Sequence, residues 1–160
     1  MRAAVLLALF AAPVAAPSWA ACQGDTAFSC PIGAKTLGVC YWKGMLTYRF
    51  GPEGKPELTL SEPLETVAYT PWRGIGRAVW DSLAFQNEGV TYEVWSSFDR
   101  LDETAVLEGG VNVMQGDKTL AKLTCDSGSV EHGLERIADL KAGIGQCWNT
   151  ESQVWNRDCN

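Results

Sequence analysis

The chain has 160 residues, with 19 acidic side chains against 13 basic ones and a formal charge of −6 at pH 7. An acidic balance argues against nucleic acid and anionic lipid as partners and favours basic ones. Beyond the first twenty residues no run of ~18 apolar residues occurs, which excludes a transmembrane helix there.

Residues 1–20, MRAAVLLALFAAPVAAPSWA, begin with Arg2 and continue through a short apolar stretch to Ser18-Trp19-Ala20. This is the pattern of a secretory signal peptide cleaved after Ala20. Removing Arg2 with it takes the charge to −7. The remaining chain, roughly 140 residues, is about one domain's worth. A periplasmic or secreted location follows.

Six cysteines remain: Cys22, Cys30, Cys40, Cys125, Cys147 and Cys159. An even count in an exported chain reads as three disulfides, with fifteen possible connectivities. Proximity suggests Cys30 with Cys40 and Cys147 with Cys159, leaving Cys22 with Cys125 by subtraction. A lipidated Cys22 is the alternative, but Trp19-Ala20-Ala21 lacks the leucine-like residue of such signals, and five thiols would remain. Zinc fails on spacing, because there is no C-x2–4-C pair and His132 is the one histidine.

From residue 45 onward, short alternating runs lie between Gly, Pro and Asn/Asp turns. MLTYRF places Leu46, Tyr48 and Phe50 on one face. ELTLS follows after Gly51-Pro52-Glu53-Gly54, and Pro63 ends it. IGRAVWDSLAF alternates Ile75, Val79, Leu83 and Phe85 against Ala78, Trp80 and Ala84. GVTYEVW, VNVMQ and KTLAKLTC complete the series, the last two joined at Gln115-Gly116-Asp117. Period-two alternation with regular turns predicts an antiparallel β-meander, closed into a small barrel or a sandwich, over 21–128.

After Cys125 the period changes. In SVEHGLERIADLKAG, Leu134, Ile137, Ala138 and Lys141 fall on one helical stripe. Ser129 is the expected N-cap, and Gly143 and Gly145 end the helix. The predicted second segment, 129–160, is thus this helix plus a tail stapled by Cys147 and Cys159. Trp148 and Trp155 are expected to pack back on the sheets.

No catalytic set is complete. His132 lies on the predicted helix, three residues before Glu135, with no nucleophile signalled nearby. There is no G-x-S-x-G elbow, P-loop or H-E-x-x-H. RGIGR carries a lone Gly-Ile-Gly, which lacks the third glycine and the βαβ setting of a dinucleotide site. Arg73 and Arg77 there are able to contact an acidic group. Asp99, Asp102 and Glu103 sit in a charged run that reads as a solvated loop. We therefore expect a non-enzyme with no cofactor and no bound metal. Six tryptophans outlast the leader, and Trp72, Trp80 and Trp95 are candidates for stacking on a glycan. Trp95 shares its strand face with Thr91 and Glu93, a polar setting for a large aromatic.

The exported all-β layout, the late Cys125 that closes the sheet region, and the step Gly89-x-x-Tyr92 resemble the small periplasmic C-type lysozyme inhibitors over residues 28–125. The resemblance implies an eight-stranded barrel whose S-G-x-x-Y loop enters the lysozyme cleft, with a second basic loop residue meeting the catalytic carboxylates. Gly89 and Tyr92 match, Lys118 is the candidate basic residue, and Glu88 stands where that family has serine. The expectation is an exported binding protein that inserts loops into the cleft of a basic protein such as a lysozyme. A carbohydrate- or peptidoglycan-binding module, or an envelope-associated structural protein, is the alternative.

Overall fold

The computed structural model describes residues 22–159; the expected signal peptide, 1–20, lies outside the described residues. Among the described residues the chain is mainly β and antiparallel, with one short helix. A first sheet has the order β1 (Asp25–Ile32), β2 (Lys35–Trp42), β3 (Met45–Gly51), β4 (Leu58–Pro63). A second runs β5 (Ala68–Thr70), β6 (Ala78–Asn87), β7 (Val90–Asp99), β8 (Glu108–Gln115), β9 (Lys118–Thr124). Helix α1 (Arg136–Gly143) follows, then a hairpin of β10 (Cys147–Asn149) and β11 (Val154–Asn156). Both large sheets are meanders, and among the described residues neither closes on itself into a barrel.

The two sheets share one apolar core. Phe28, Leu37, Val39, Leu46 and Tyr48 come from the first sheet, and Leu83, Phe85, Val94 and Val111 from the second. Each such side chain, fully buried, stabilises the fold by about 1.5–3 kcal/mol. The Tyr48 ring lies 5.6 Å from Phe85 and 5.7 Å from Tyr92, bridging the sheets. Gly109 permits a close approach between the sheets: a Cβ there would stand 2.8 Å from the Phe28 ring. Leu134 and Ile137 of the α1 region are buried in the same core.

The alternating runs at 45–50, 57–61, 89–95, 111–115 and 118–125 fall within or beside strands β3, β4, β7, β8 and β9. The run at 75–85 starts too early. Its strand opens at Ala78, and Ile75 is 81% exposed in the preceding loop. β1 lacks a clean signal because it bulges at Ala27, so that consecutive Ala27 and Phe28 are both buried, and β2 lacks one because consecutive Val39 and Cys40 are both buried.

Two of the three expected disulfides are corrected. The bridges are Cys22–Cys40, Cys30–Cys125 and Cys147–Cys159. Cys30 is paired in register with Leu37, three residues short of Cys40. That offset is about 10 Å along the strand, beyond the ~7 Å Cα separation that a disulfide spans. Cys30 instead joins the first strand of one sheet to the residue that ends the last strand of the other. With Cys22 engaged by Cys40, no cysteine is left unpaired among the described residues.

The helix is also shorter than expected. It starts at Arg136, not after Ser129, and Glu135 occupies the cap without a side-chain bond. Residues 129–134 have another use. The Glu131 N–H donates to Ser29 O, and His132 forms an antiparallel bridge with Ser29, which covers the open edge of β1. His132 is therefore not on the helix. The C-terminal end agrees with expectation: α1 stops at Gly143, and Gly145 takes φ +80°.

No helix among the described residues is long and apolar enough to cross a membrane. Three disulfides are compatible with an extracellular or periplasmic protein.

Candidate functional site

The candidate residues do not converge on one place. Glu88 and Gly89 form the two-residue turn between β6 and β7, closed by the pair Asn87 and Val90. Gly116 and Asp117 turn β8 into β9, with Gln115 opposite Lys118. Because Thr91 on β7 pairs with Met114 on β8, both turns lie at the same end of the sheet. Glu88, Gly89 and Lys118 are thus neighbours in the broad sense. Tyr92 is half-buried on the core side of β7, with its ring against Tyr48.

The 88–89 turn has its own structural account. Glu88 at φ +48° and Gly89 at φ +80° give the doubly left-handed turn that matches strand twist. Glutamate is a poor residue there, whereas asparagine is a good one. Glu88→Asn is expected to raise stability by about 0.5–1 kcal/mol, read as a higher urea midpoint at unchanged slope. No gain would mean that Glu88 makes a compensating contact in the folded state.

Arg73 and Arg77 lie at the opposite end. The ten residues of β6 separate Arg77 from Glu88, which is roughly 30 Å or more of strand. Arg77 is engaged by Asp99 in an exposed ion pair, and such pairs contribute little. Nearby, the Trp72 indole N–H donates to Ile75 O at 2.9 Å, and Arg100 lies 5.1 Å from the Trp72 ring centre. Trp72 is thereby committed to its own loop. Asp102 accepts from the hydroxyl and the N–H of Thr104, and these bonds hold its pKa low. That is the behaviour of a turn-forming aspartate in a solvated loop.

Trp80 and Trp95 do come together. Core-facing Asp81, Leu83 and Phe85 of β6 alternate with outward Trp80, Ser82 and Ala84. On β7, Val94 and Ser96 face the core while Glu93 and Trp95 face out. Trp95 stands between Ser82 and Gly110 in register. Trp80, two residues from Ser82, is its diagonal neighbour at about 7–8 Å between backbones. Trp80 is 37% exposed and Trp95 is partly so. One row on, Glu93, Asn112 and Lys122 line up across three strands. The Asn112 amide donates to Glu93 Oε2 at 3.2 Å. Gly110 leaves the space beside Trp95 without a side chain. The result is a sheet face with two indoles beside a row of hydrogen-bonding groups.

Three polar residues matter more than the sequence suggested. Asp81 is buried at a core-facing position, and its Oδ1 accepts from the Tyr69 hydroxyl at 2.7 Å and the Trp72 N–H at 3.3 Å. Burial raises its pKa; those two bonds oppose the rise and the nearby Glu135 adds to it. Tyr69 is pushed up too, first by burial and then by Asp81. Lys141 is 1% exposed, and its ammonium donates to Leu64 O at 2.8 Å and Gln146 Oε1 at 3.3 Å. It also lies 5.6 Å from the Trp155 ring centre. The Trp155 indole N–H donates to Tyr69 O at 2.8 Å, so the stapled tail docks on β5. The signal for Asp81 was its parity: it shares the face of Val79, Leu83 and Phe85.

No cluster of three or more metal-ligating side chains occurs among the described residues. In comparisons with protein-family models, curated proteins and solved structures, nothing matched the chain.

Proposed function

We propose that this is an exported, non-catalytic binding protein, periplasmic or secreted, that holds glycan on the outer face of its five-stranded sheet. Its two meanders act as an open sandwich that keeps this face rigid. The observation that supports the reading is the diagonal pair Trp80 and Trp95 beside the polar row Glu93, Asn112 and Lys122. Indole faces stack on the apolar faces of sugar rings, and Glu93, Asn112 and Lys122 are spaced to meet ring hydroxyls.

Titration of the mature protein with peptidoglycan and polysaccharide fragments tests it by tryptophan fluorescence. A saturable shift is expected with at least one glycan. Trp95→Ala is expected to weaken it about tenfold or more, as loss of a stacking anchor does. No shift across a broad panel, with the protein folded, would remove the proposal.

The second reading is loop insertion into the cleft of a basic protein such as a lysozyme. It is favoured by the shared location of the Glu88-Gly89 and Gly116–Lys118 tips. Net charge steers such an encounter. Salt-sensitive inhibition of one lysozyme type, lost in Lys118→Ala, is its expected result.

A further inference from the structure

We propose that a cleft of about 370 Å³ between the five-stranded sheet and the start of α1 is a binding site for an organic cation, a primary ammonium carried on a short apolar stem. Val79, Phe98 and Leu107 line it as apolar wall, and Asp81, Ser96 and Glu135 as its polar groups. The site lies on the core side of β6 and β7, so it is separate from the Trp80/Trp95 face and does not rest on the glycan reading.

The polar groups are built in rather than incidental. Asp81 and Ser96 are directly opposed in register, and they are 7% and 2% exposed. Tyr69 and Trp72 both bond Asp81 Oδ1. Ser96 Oγ accepts the Leu134 N–H at 3.1 Å. Among the described residues, Asp81 Oδ2 and the Ser96 hydroxyl hydrogen have no protein partner. Buried polar atoms left unmatched are costly, and Asp81 Oδ2 is such an acceptor on a side chain that lines the cleft.

Charge selects the ligand. Glu135 is exposed at the rim, close enough to Asp81 that its charge opposes ionisation of the buried carboxyl. Among the described residues, no lysine or arginine lines the cleft. The neighbouring bases are engaged elsewhere, Arg136 with Asp25 and Lys141 with Leu64 and Gln146. An ammonium between the two carboxylates donates to both and relieves their repulsion. The apolar wall, with the half-exposed Phe98 ring, takes the stem. The volume falls in the usual range of small-molecule sites, about 300–1,000 Å³. Two carboxylates are too few for a dedicated metal cage.

Such a group occurs on free amines and on lysine side chains of a protein partner. The test is a titration of isotope-labelled mature protein, followed by amide NMR, with n-butylammonium, 1-butanol and doubly blocked lysine. Saturable shifts at Val79, Ser96, Phe98 and Leu107 are expected with butylammonium. Affinity for the neutral alcohol should be lower by about tenfold. Glu135→Gln, at an exposed position, should weaken the amine severalfold and leave the alcohol unchanged. Tighter binding of blocked lysine than of butylammonium identifies a partner's side chain; the reverse identifies a small amine. Absence of saturable shifts at these amides, or equal affinity for amine and alcohol, overturns the proposal.

Discussion

Replacing Cys30 and Cys125 together with alanine is expected to destabilise the protein more than removal of either other disulfide. The bond closes 95 residues of sequence, and constraining a loop of that length in the unfolded chain contributes about 4–5 kcal/mol. The other two close 18 and 12 residues, for which the same relation gives about 3 kcal/mol each. Position reinforces the order. Cys30 and Cys125 are both buried in the shared core, so their truncation also leaves unfilled volume. Against a total of about 5–15 kcal/mol for a typical domain, this is a large fraction. Urea unfolding of the three double variants under non-reducing conditions measures it. A greater loss in the Cys22/Cys40 variant than in the Cys30/Cys125 variant would show that the inter-sheet bond is not what restrains the unfolded chain.

That bond also marks a limit of the sequence. Local rules read local structure: period-two runs with Gly and Asp turns gave the hairpins β6–β7 and β8–β9. Pairing of Cys30 with Cys125 depends on how two sheets come to share a core, which sequence separation does not encode. The strand bulge at Ala27 hid β1 and, with it, the register that forbids Cys30–Cys40. At 129–134 a helical reading lost to a tertiary contact. The segment bonds to Ser29 because an open strand edge gains more from backbone partners than one further helical turn would.

The candidate sites divide in the same way. Placement of Trp95 on a polar strand face was legible from alternation alone, whereas its adjacency to Trp80 needed the register of β6 against β7. Glu88 and Lys118 lie at a common end because both turns are hairpins of one meander. Arg73 and Arg77, which the sequence offers separately as contacts for an acidic group, lie at the far end of β6 because of chain direction. Asp81 and Lys141 were both readable as charges on apolar faces, one at strand parity and one on the helical stripe. Recognising such a residue as buried requires asking what satisfies it, and the partners are distant in sequence: Tyr69 for the aspartate, Leu64 for the lysine.

Lys141 carries the second large expected effect. Lys141→Ala removes the donor to Leu64 O and to Gln146 Oε1 and empties the space beneath Trp155. Unmatched buried acceptors and an unfilled cavity together are expected to cost about 2–4 kcal/mol. Lys141→Met refills the volume without the charge, and its loss should be smaller by about 1 kcal/mol or more. The pH dependence separates charge from packing. Burial lowers the Lys141 pKa from 10.5 to about 8. Below pH 8 the amine is protonated in both states, and the folded protein bears the full desolvation penalty. From about pH 8 toward 10.5 the folded state has released the proton while the unfolded chain still holds it, so stability rises with pH in that window. Tyr48 and Tyr69, whose pKa values burial raises, act in the opposite sense above pH 10: the unfolded chain ionises first and stability falls. Wild type should therefore gain stability between about pH 8 and 10 and lose it beyond, and Lys141→Met should lack the rising limb. An identical slope in the two proteins would mean that the Lys141 ammonium is not desolvated at the junction of helix, tail and sheet.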